Sequence, residues 1–364
     1  MTDSLLTRHH LLPTYARQDV TFVDGDGAWL TDAAGTRYLD CFAGIAVVGL
    51  GHRHPAPLAA AHAQLDRLWH VSNLYYTEPM QELSEKLSDR FGGASAFFCN
   101  SGAESVEAAI KWAYKATGRH EIVALDGSFH GRTLGALAVT GQPAKRAAFE
   151  PLVPGVRFGL EHVSGETAAI IVEPVQGEGG VHPLAPEQLA YARELADAHG
   201  AMLVLDEVQT GVGRSGSFFA WQELGVRPDA VTLAKGLANG LPIGAFLVSD
   251  DAPRGFEPGD HASTFGGNPV ACAAACAVVA TVDDTLLAHV KEISQRFADA
   301  LPVRGLGLLL AFDTEKPAAD VVAAAFERGL VIGTAGPNTI RLTPPLTLTS
   351  DEADLAVTTI KECL

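Results

Sequence analysis

The sequence is poor in positive charge and in cysteine. Its 364 residues include 26 lysines and arginines against 43 aspartates and glutamates, which gives a net charge of −17, and only five cysteines. A chain this acidic is poorly suited to nucleic acid or to anionic membranes as general partners, because like charges repel. The scattered cysteines do not form a disulfide framework and indicate reduced thiols, as in a cytoplasm.

Long apolar runs are also missing. The longest, residues 269–281, is too short to cross a bilayer, and the first 18 residues lack the apolar core of a signal peptide. We therefore expect no membrane segment. Cys272 and Cys276 lie four apart within the long run, with no further metal-ligating side chain near them in the sequence. We interpret them as core residues and expect no metal.

The region from about residue 95 to 250 alternates short apolar runs with helical patterns. Six runs have the composition of strands that are buried on both faces: residues 96–99, 121–125, 168–173, 201–207, 230–233 and 244–248. This alternation predicts an α/β fold with a mostly parallel central sheet covered by helices. In such sheets ligands bind at the carboxyl ends of the strands.

The chain is longer than one ordinary core requires, so we expect two domains. We assign residues 45–255 to a large domain that carries the sheet. Residues 1–44 and 256–364 are assigned to a smaller α/β domain built from both ends of the chain. Residues 22–40 have the pattern of a hairpin, and residues 283–364 alternate helix and strand again.

The end of the first predicted sheet strand has features of an anion site. Ser101 and Glu104 have the spacing of a capping box, which by itself indicates only a well-capped helix. Gly102 also permits a ligand to approach the backbone, and the free N–H groups at a helix start attract a phosphate.

Two other strand ends carry charged side chains. Asp206 follows one apolar run and Lys235 follows the next. By position alone, Asp206 could equally be a helix cap or a member of an ion pair, and Lys235 could be a surface lysine that extends to solvent. Together with the anion site, however, they are the parts that hold pyridoxal 5′-phosphate (PLP). The lysine would bond to the cofactor's aldehyde, and the carboxylate would keep its ring nitrogen protonated.

The same segments carry a resemblance to a known family. The motifs are GIAVVGLGHRHP (44–55), FFCNSGAE (97–104), FHGRT (129–133), EPVQGEGG (173–180), LDEVQTGVGR (205–214), TLAKGLANGLPIGA (232–245) and STFGGNP (263–269). In combination they resemble the class III, ornithine-type, PLP-dependent aminotransferases of fold type I, over roughly residues 12–350. The resemblance is greatest to members that use acetylornithine. It implies a homodimer with active sites at the subunit interface.

The resemblance also implies roles for individual residues. Lys235 is the expected catalytic lysine, which bonds to PLP and carries the proton. The expected cofactor contacts are Ser101, Gly102, Ala103, Phe129, Asp206, Val208, Gln209, Lys235 and, donated by the other subunit, Thr264. The expected substrate contacts are Arg132, Ser263, Glu178, Arg341 and Ile45.

Two implied roles concern the choice of substrate. Ile45 stands where ornithine-specific members typically have tyrosine, and an apolar wall suits an acylated amine. Glu178 and Arg341 are expected to pair while the amino donor is bound and to separate for a dicarboxylate, although a structural ion pair between domains is the alternative. The implied reaction moves the terminal amino group of N2-acetyl-L-ornithine to 2-oxoglutarate. It gives N-acetylglutamate 5-semialdehyde and glutamate, a step of arginine biosynthesis.

Several alternatives stay open. Succinyl-diaminopimelate, acetyl-lysine derivatives, ornithine and 4-aminobutyrate are donors that the same machinery could use. The segment GVGRSG (211–216) is a literal G-x-G-x-x-G, so an NAD-dependent oxidoreductase is a remote alternative. A non-catalytic PLP-dependent regulator would need a basic DNA-binding segment, which neither flank offers. The chain departs from the family at Val48, usually asparagine, and in a short link at 160–168. The role of His130 is open.

Overall fold

The structure is a computed structural model that describes residues 10–364; the first nine residues of the predicted smaller domain lie outside the described residues. The strands, numbered along the chain, are β1 (Phe22–Asp26), β2 (Trp29–Asp32), β3 (Arg37–Asp40), β4 (Ala94–Cys99), β5 (Glu121–Ala124), β6 (Val156–Phe158), β7 (Thr167–Val172), β8 (Val175–Gln176), β9 (His182–Pro183), β10 (Met202–Asp206), β11 (Ala230–Leu233), β12 (Gly244–Ser249), β13 (Arg304–Leu306), β14 (Leu309–Asp313), β15 (Leu330–Val331), β16 (Gly333–Thr334) and β17 (Thr339–Leu342).

Twelve helical segments of the α type lie between these strands or after the last of them in the part of the chain that is described. They are α1 (Ala43–Ala46), α2 (Pro55–Leu65), α3 (Glu78–Phe91), α4 (Gly102–Thr117), α5 (Leu134–Ala138), α6 (Pro143–Arg146), α7 (Pro186–His199), α8 (Ala220–Leu224), α9 (Pro269–Thr281), α10 (Asp284–Ala300), α11 (Ala318–Glu327) and α12 (Ser350–Cys363). Short 3₁₀ turns cover Ala147–Phe149, Leu160–His162 and Lys235–Ala238.

A seven-stranded sheet in the order β4-β12-β11-β10-β7-β5-β6 forms the centre of the molecule. β12 runs antiparallel to both of its neighbours, and the other pairs are parallel. The predicted α/β fold with a mostly parallel sheet is therefore confirmed. All six predicted strands are present. The edge strand β6 was not predicted, because three residues are too few to show a period.

The sheet is covered on both faces, which explains why its strands are apolar throughout. In β7, Ile170 packs into the core on the side of α3, α7 and α9, whereas Ile171 packs into the core on the side of α4. Leu203 and Val204 divide between the two cores in the same way in β10. Successive side chains of a strand point to opposite faces, so a sheet between two helical layers needs apolar residues at every position.

The two ends of the chain meet in a second region. The parallel pairing of β3 with β15 joins the N-terminal meander β1-β2-β3 to the C-terminal part, and an antiparallel sheet β13-β14-β17-β16 lies within that part. A separate core collects side chains from both ends. The predicted domain limits stay a prediction. We note that α9 packs into the core of the large sheet, although those limits assign residues 256–364 to the smaller domain.

Helix α9 shows why its sequence has no polar face. It buries apolar side chains on all sides, and the interpretation of Cys272 and Cys276 as core residues is confirmed because both are buried there. All five cysteines are free and buried. Within residues 10–364 no single helix is long and apolar enough to cross a bilayer; the bent pair α9–α10 passes that test by length and composition only.

The segment α1 is a left-handed turn. Four consecutive residues, Ala43 to Ala46, have φ between 47° and 68°. This conformation costs about 1–2 kcal/mol for each residue other than glycine, so contacts with residues outside the turn must stabilise it. Asp40 does this by accepting hydrogen bonds from the backbone N–H groups of Phe42 (3.0 Å) and Ala43 (2.8 Å). His52 Nε2 lies 2.8 Å from the other oxygen of Asp40.

Asn239 ties the glycine-rich loop after β11 to the loop before α2. Its Oδ1 accepts from the Leu50 N–H at 2.7 Å, and its Nδ2 donates to the Gly51 carbonyl at 2.9 Å. Its φ of 50° is left-handed, which asparagine tolerates better than most residues.

We predict that Asn239→Ala lowers the free energy of unfolding by about 1–3 kcal/mol, because two backbone groups lose their partner. Asn239→Gly is the matched control. It removes the same hydrogen bonds but accepts the positive φ, so it should retain about 1 kcal/mol more stability than the alanine variant. Chemical denaturation measures both. Two variants as stable as the wild type would show that this tie carries no stability.

Candidate active site

A cavity of about 300 Å³ opens where the carboxyl ends of β4, β10 and β11 meet. Eight of the residues that the sequence assigned to the cofactor line it: Ser101, Gly102, Ala103, Phe129, Asp206, Val208, Gln209 and Lys235. The loops after four strands, β4, β5, β10 and β11, thus bring together side chains that are up to 134 positions apart in the chain, from Ser101 to Lys235.

Asp206 is the buried carboxylate of this cavity. Its Oδ1 accepts from the Val208 N–H at 3.1 Å and from the Thr232 hydroxyl at 3.0 Å, and its Oδ2 contacts His130 Nδ1 at 2.7 Å. The parallel register of β10 and β11 places Thr232 directly beside Asp206. Three partners from three segments fix the orientation of the carboxylate, and its side chain still lines the cavity.

His130 is the functional residue whose role the sequence left open. It is 3 % exposed, and burial alone would lower the pKa of its imidazole. The hydrogen bond and charge of Asp206, together with the charge of Glu173, outweigh burial and raise that pKa. The Nδ1 contact leaves Nε2 buried without a partner among the described residues. His130 therefore positions Asp206. Its place directly after Phe129 in FHGRT was the available sequence signal.

Lys235 begins the turn after β11, with a φ of 44°. Burial, reinforced by the positive charge of Arg341, lowers the pKa of its amine to about 8, although the nearby carboxylates oppose the shift. Among the described residues no acceptor binds its Nζ. A lysine with such a pKa presents a substantial fraction of uncharged amine near neutral pH, which is the form that attacks a carbonyl carbon.

Glu173, at the end of β7, also lines the cavity and was not singled out by the sequence analysis. Its Oε2 accepts from the backbone N–H of Phe129 at 2.9 Å, which holds the FHGRT loop against the sheet. Burial, reinforced by the charge of Asp206, raises the pKa of its carboxyl to about 7, although the charge of His130 opposes this shift.

The start of α4 is arranged to receive an anion. Ser101 Oγ accepts from the Glu104 N–H at 3.2 Å, as expected for a helix cap. The Glu104 carboxylate, however, accepts from the backbone and side chain of Asn100 at 3.0 and 2.8 Å, so the predicted capping box is only half formed. The N–H groups of Ser101, Gly102 and Ala103 have no acceptor within residues 10–364. They are available to a phosphate at the positive end of the helix dipole.

The remaining cavity walls fit a flat ring with a polar edge. Val208 packs so closely on Gly102 that a side chain there would approach it to 2.7 Å. The Oε1 atom of Gln209 is buried without a partner among the described residues and lies beside Gly177, where an added Cβ would approach it to 2.5 Å. The missing side chain of Gly177 makes room for the Gln209 amide, and the orphaned amide oxygen is an acceptor that a hydroxyl-bearing ring would satisfy.

Glu178 and Arg341 lie together, as the sequence proposed, and a third residue joins them. Arg341 NH1 donates to Glu178 Oε2 at 3.0 Å and to the Gly177 carbonyl at 3.2 Å. Lys145 Nζ donates to Glu178 Oε1, also at 3.0 Å. Burial raises the pKa of the Glu178 carboxyl, but Arg341 and Lys145 reverse this and hold it below its usual value. Lys145 lies outside every quoted motif, so no sequence signal pointed to it.

None of the six proposed substrate or partner-donated residues is part of the cavity wall. Glu178 and Arg341 pair beside it, and the other four lie elsewhere. Arg132 is exposed and stands over the Phe129 ring at 5.4 Å. Ile45 is 41 % exposed on the left-handed turn. Ser263 and the exposed Thr264 line a surface groove instead, and Ser263 Oγ accepts from Asn100 Nδ2, at the cavity wall, at 3.1 Å.

The segment GVGRSG does not form a dinucleotide site. It is a loop that leads to α8 rather than directly into a helix. Its Arg214 is 3 % exposed and donates to the carbonyls of Leu308 and Pro344, which connects the large sheet region to the C-terminal region. Its glycines allow the chain to turn tightly around these contacts: a side chain at Gly213 would approach Val282 to 2.8 Å.

We predict that Lys235 in cofactor-free protein reacts with a small acylating reagent with a pH midpoint near 8, well below the ~10.4 of an ordinary lysine. Arg341→Met should raise this midpoint, because it removes a neighbouring positive charge that disfavours the ammonium form. Peptide mapping by mass spectrometry across a pH series measures the midpoint at this site. An unshifted midpoint near 10 in both proteins would contradict the buried environment.

Comparisons with known proteins agree with this site. A family model described as aminotransferase class-III matches residues 14–364. The acetylornithine aminotransferase of Corynebacterium efficiens is 48 % identical, over 95 % of this chain and 93 % of its own length. The structure of the ornithine aminotransferase from Toxoplasma gondii superposes with a TM-score of 0.92 at 30 % identity, covering 98 % of this chain and 92 % of that chain.

A second solved structure is also similar over the whole chain. The N-acetylornithine aminotransferase from Stenotrophomonas maltophilia has a TM-score of 0.85 at 33 % identity, and the match covers 99 % of this chain and 98 % of that chain. The family model and the relatives align with nearly the whole length of this chain, including all the strand ends that build the cavity. This chain belongs to the class III aminotransferases.

Proposed function

We propose that this protein is a PLP-dependent aminotransferase that moves the terminal amino group of N2-acetyl-L-ornithine to 2-oxoglutarate, a step of arginine biosynthesis. The observation that carries the proposal is the convergence of three features in one cavity. They are the partly deprotonated amine of Lys235, the tightly held carboxylate of Asp206 and the unpaired N–H groups at the start of α4.

The cavity residues fit PLP in detail. When bound, this cofactor supplies an aldehyde that bonds to amines and a ring that withdraws electrons from the bonded carbon. The α4 N–H groups would hold its phosphate, Gln209 Oε1 would accept from its ring hydroxyl, and Val208 and Phe129 would contact the ring. The Toxoplasma gondii structure is described as having partial occupancy of PLP at its active site, which supports the assignment.

The chain's own residues divide the proton work between them. Lys235 Nζ, with a pKa of about 8, both accepts and returns a proton at a substrate carbon near neutral pH. Asp206 would accept a hydrogen bond from the ring nitrogen and would keep that nitrogen charged. His130 holds Asp206 from behind through Nδ1, at 2.7 Å, so the carboxylate cannot turn away from the ring.

The preference for an acetylated donor rests on the relatives and on Ile45. Curated relatives at 41–48 % identity carry the acetylornithine aminotransferase name. Ile45 offers an apolar side chain on the turn before Val47, which lines the cavity. Free ornithine is the second candidate, because the solved structure with a TM-score of 0.92 is an ornithine aminotransferase.

The acceptor substrate uses Arg341. This guanidinium is 3 % exposed, it is paired to Glu178, and its Nε has no partner among the described residues. An arginine that leaves the glutamate for the distal carboxylate of 2-oxoglutarate lets one site accept both a capped amine and a dicarboxylate.

A homodimer completes the proposal. Leu74, Tyr75, Tyr76 and Phe265 are large apolar side chains that are 62–85 % exposed. Asn73 ties their two segments together by donating to the carbonyls of Ser263 and Gly266, both at 2.8 Å. A continuous apolar patch of this kind is typical of a subunit interface, and Thr264 beside it would reach the cofactor phosphate of the second subunit. Five free thiols support a cytoplasmic location.

A donor panel with 2-oxoglutarate tests the function. We expect acetylornithine to exceed free ornithine in kcat/KM by at least about tenfold, which is ~1.4 kcal/mol of discrimination. Lys235→Ala should abolish turnover and the visible absorbance of the lysine-bound cofactor. The far-ultraviolet circular dichroism of the variant should be unchanged, because the fold is retained. Ile45→Tyr should shift the ratio towards ornithine. A wild-type enzyme that prefers ornithine would refute the assigned donor, and an active Lys235→Ala variant would refute the assigned lysine.

A dilution series tests the shared site. Thr264→Ala should release PLP more readily than the wild type, and the loss should grow as the protein is diluted towards the monomer. Ser217→Ala is a surface control, since this hydroxyl contacts only Glu223 far from the cavity. A monomeric wild type, by sedimentation, that retains PLP and turns over would contradict a site completed by the partner subunit.

A further inference from the structure

Glu178 binds two cations at once, and each cation uses a different oxygen. Arg341 contacts Oε2 and Lys145 contacts Oε1, both at 3.0 Å. Because the contacts do not share an atom, either cation can leave without breaking the other contact. An ion pair of one glutamate with one arginine lacks this property: there the carboxylate loses its whole compensation when the arginine departs.

The three side chains differ in burial. The side chain of Arg341 is 3 % exposed, that of Lys145 is 21 % exposed and that of Glu178 is 32 % exposed. Arg341 is therefore the inner cation, and Lys145 lies towards solvent on the far side of the carboxylate. An inner arginine with a buried, unpartnered Nε has donors to spare for an anion in the site.

Lys145 is itself held in place. It belongs to α6, and its ammonium lies 4.8 Å from the centroid of the Phe129 ring, a cation–π contact. Phe129 is fixed in turn by the hydrogen bond of its N–H to Glu173. The lysine therefore has two attachments, the ring and the carboxylate, and neither involves Arg341.

We propose that Lys145 is a specificity-determining positioning residue: it remains on Glu178 when Arg341 turns to the distal carboxylate of a dicarboxylate substrate. It thereby lowers the free energy needed to open the Glu178–Arg341 pair, because the glutamate is never left as an unpaired, two-thirds-buried anion. Lys145 does not contact the substrate. The proposal rests on the proposed function, since it concerns the site that must accept both acetylornithine and 2-oxoglutarate.

Equilibrium binding to the holoenzyme tests this proposal. The probes are glutarate, an unreactive dicarboxylate, and glutaramate, in which an amide replaces one carboxylate; isothermal titration calorimetry gives both dissociation constants. Lys145→Met keeps a similar side-chain length and an apolar contact with the Phe129 ring but removes the charge. We expect it to weaken glutarate binding roughly fivefold and to leave glutaramate binding within about twofold. Lys145→Arg should restore the wild-type value.

A second background separates positioning from direct contact. Glu178→Gln removes the charge that needs compensation, so adding Lys145→Met to it should not weaken glutarate binding further. Equal losses in both backgrounds would mean that Lys145 binds the dicarboxylate itself, and no loss in either would mean that it is a surface ion pair; each result overturns the proposal. Lys291→Met is the matched control, because this lysine pairs with Glu223 at 2.9 Å outside the cavity.

The wild-type activity separates this proposal from the proposed function. If the wild type transfers no amino group to 2-oxoglutarate from any donor, the proposed function fails, whatever glutarate does. If the wild type is active and the Lys145→Met effect is absent or independent of Glu178, the function stands and the role of Lys145 fails.

Discussion

Charge compensation in and beside the cavity is the constraint on which the site depends. The chain carries a net charge of −17, yet the cavity and its margin hold carboxylates and cations in equal number. The carboxylates are Asp206, Glu173 and Glu178, and the cations are Lys235, Arg341 and Lys145. Each is buried enough to be costly alone. Their mutual proximity keeps them in place and also sets the proton affinity of the lysine that performs the chemistry.

The parallel sheet makes this compensation possible. Strands that run in the same direction end at the same edge, so the loops after β4, β10 and β11 converge although they are far apart in the chain. The register of β10 with β11 adds a hydroxyl from Thr232 to the carboxylate of Asp206. A shift by one residue would turn that hydroxyl to the opposite face of the sheet. The backbone pairing therefore decides the orientation of the acid before any ligand binds.

The smaller region contributes the adjustable part of the site. Arg341 projects from β17 and meets Glu178 in the loop between β8 and β9, so their ion pair spans the contact between the C-terminal region and the large sheet. The Arg341 guanidinium also stands over the ring of Phe42, next to the left-handed turn that carries Ile45. Both residues proposed to choose the substrate are thus held by one small cluster, whereas the residues proposed to hold the cofactor belong to the rigid sheet edge.

The sequence by itself determined the fold class, the strands of the large sheet and the chemistry at their ends, because these depend on local periodicity and on residue type. Apolar runs such as 168–173 and 230–233 have the length and composition of buried strands. The aspartate and the lysine that follow two such runs indicated cofactor chemistry only in combination with the anion site. Only the tertiary structure decided which distant side chains compensate one another. His130 on Asp206 and Lys145 on Glu178 join segments that are 76 and 33 residues apart. Such contacts have no period or motif; they follow from the packing of loops against a completed sheet.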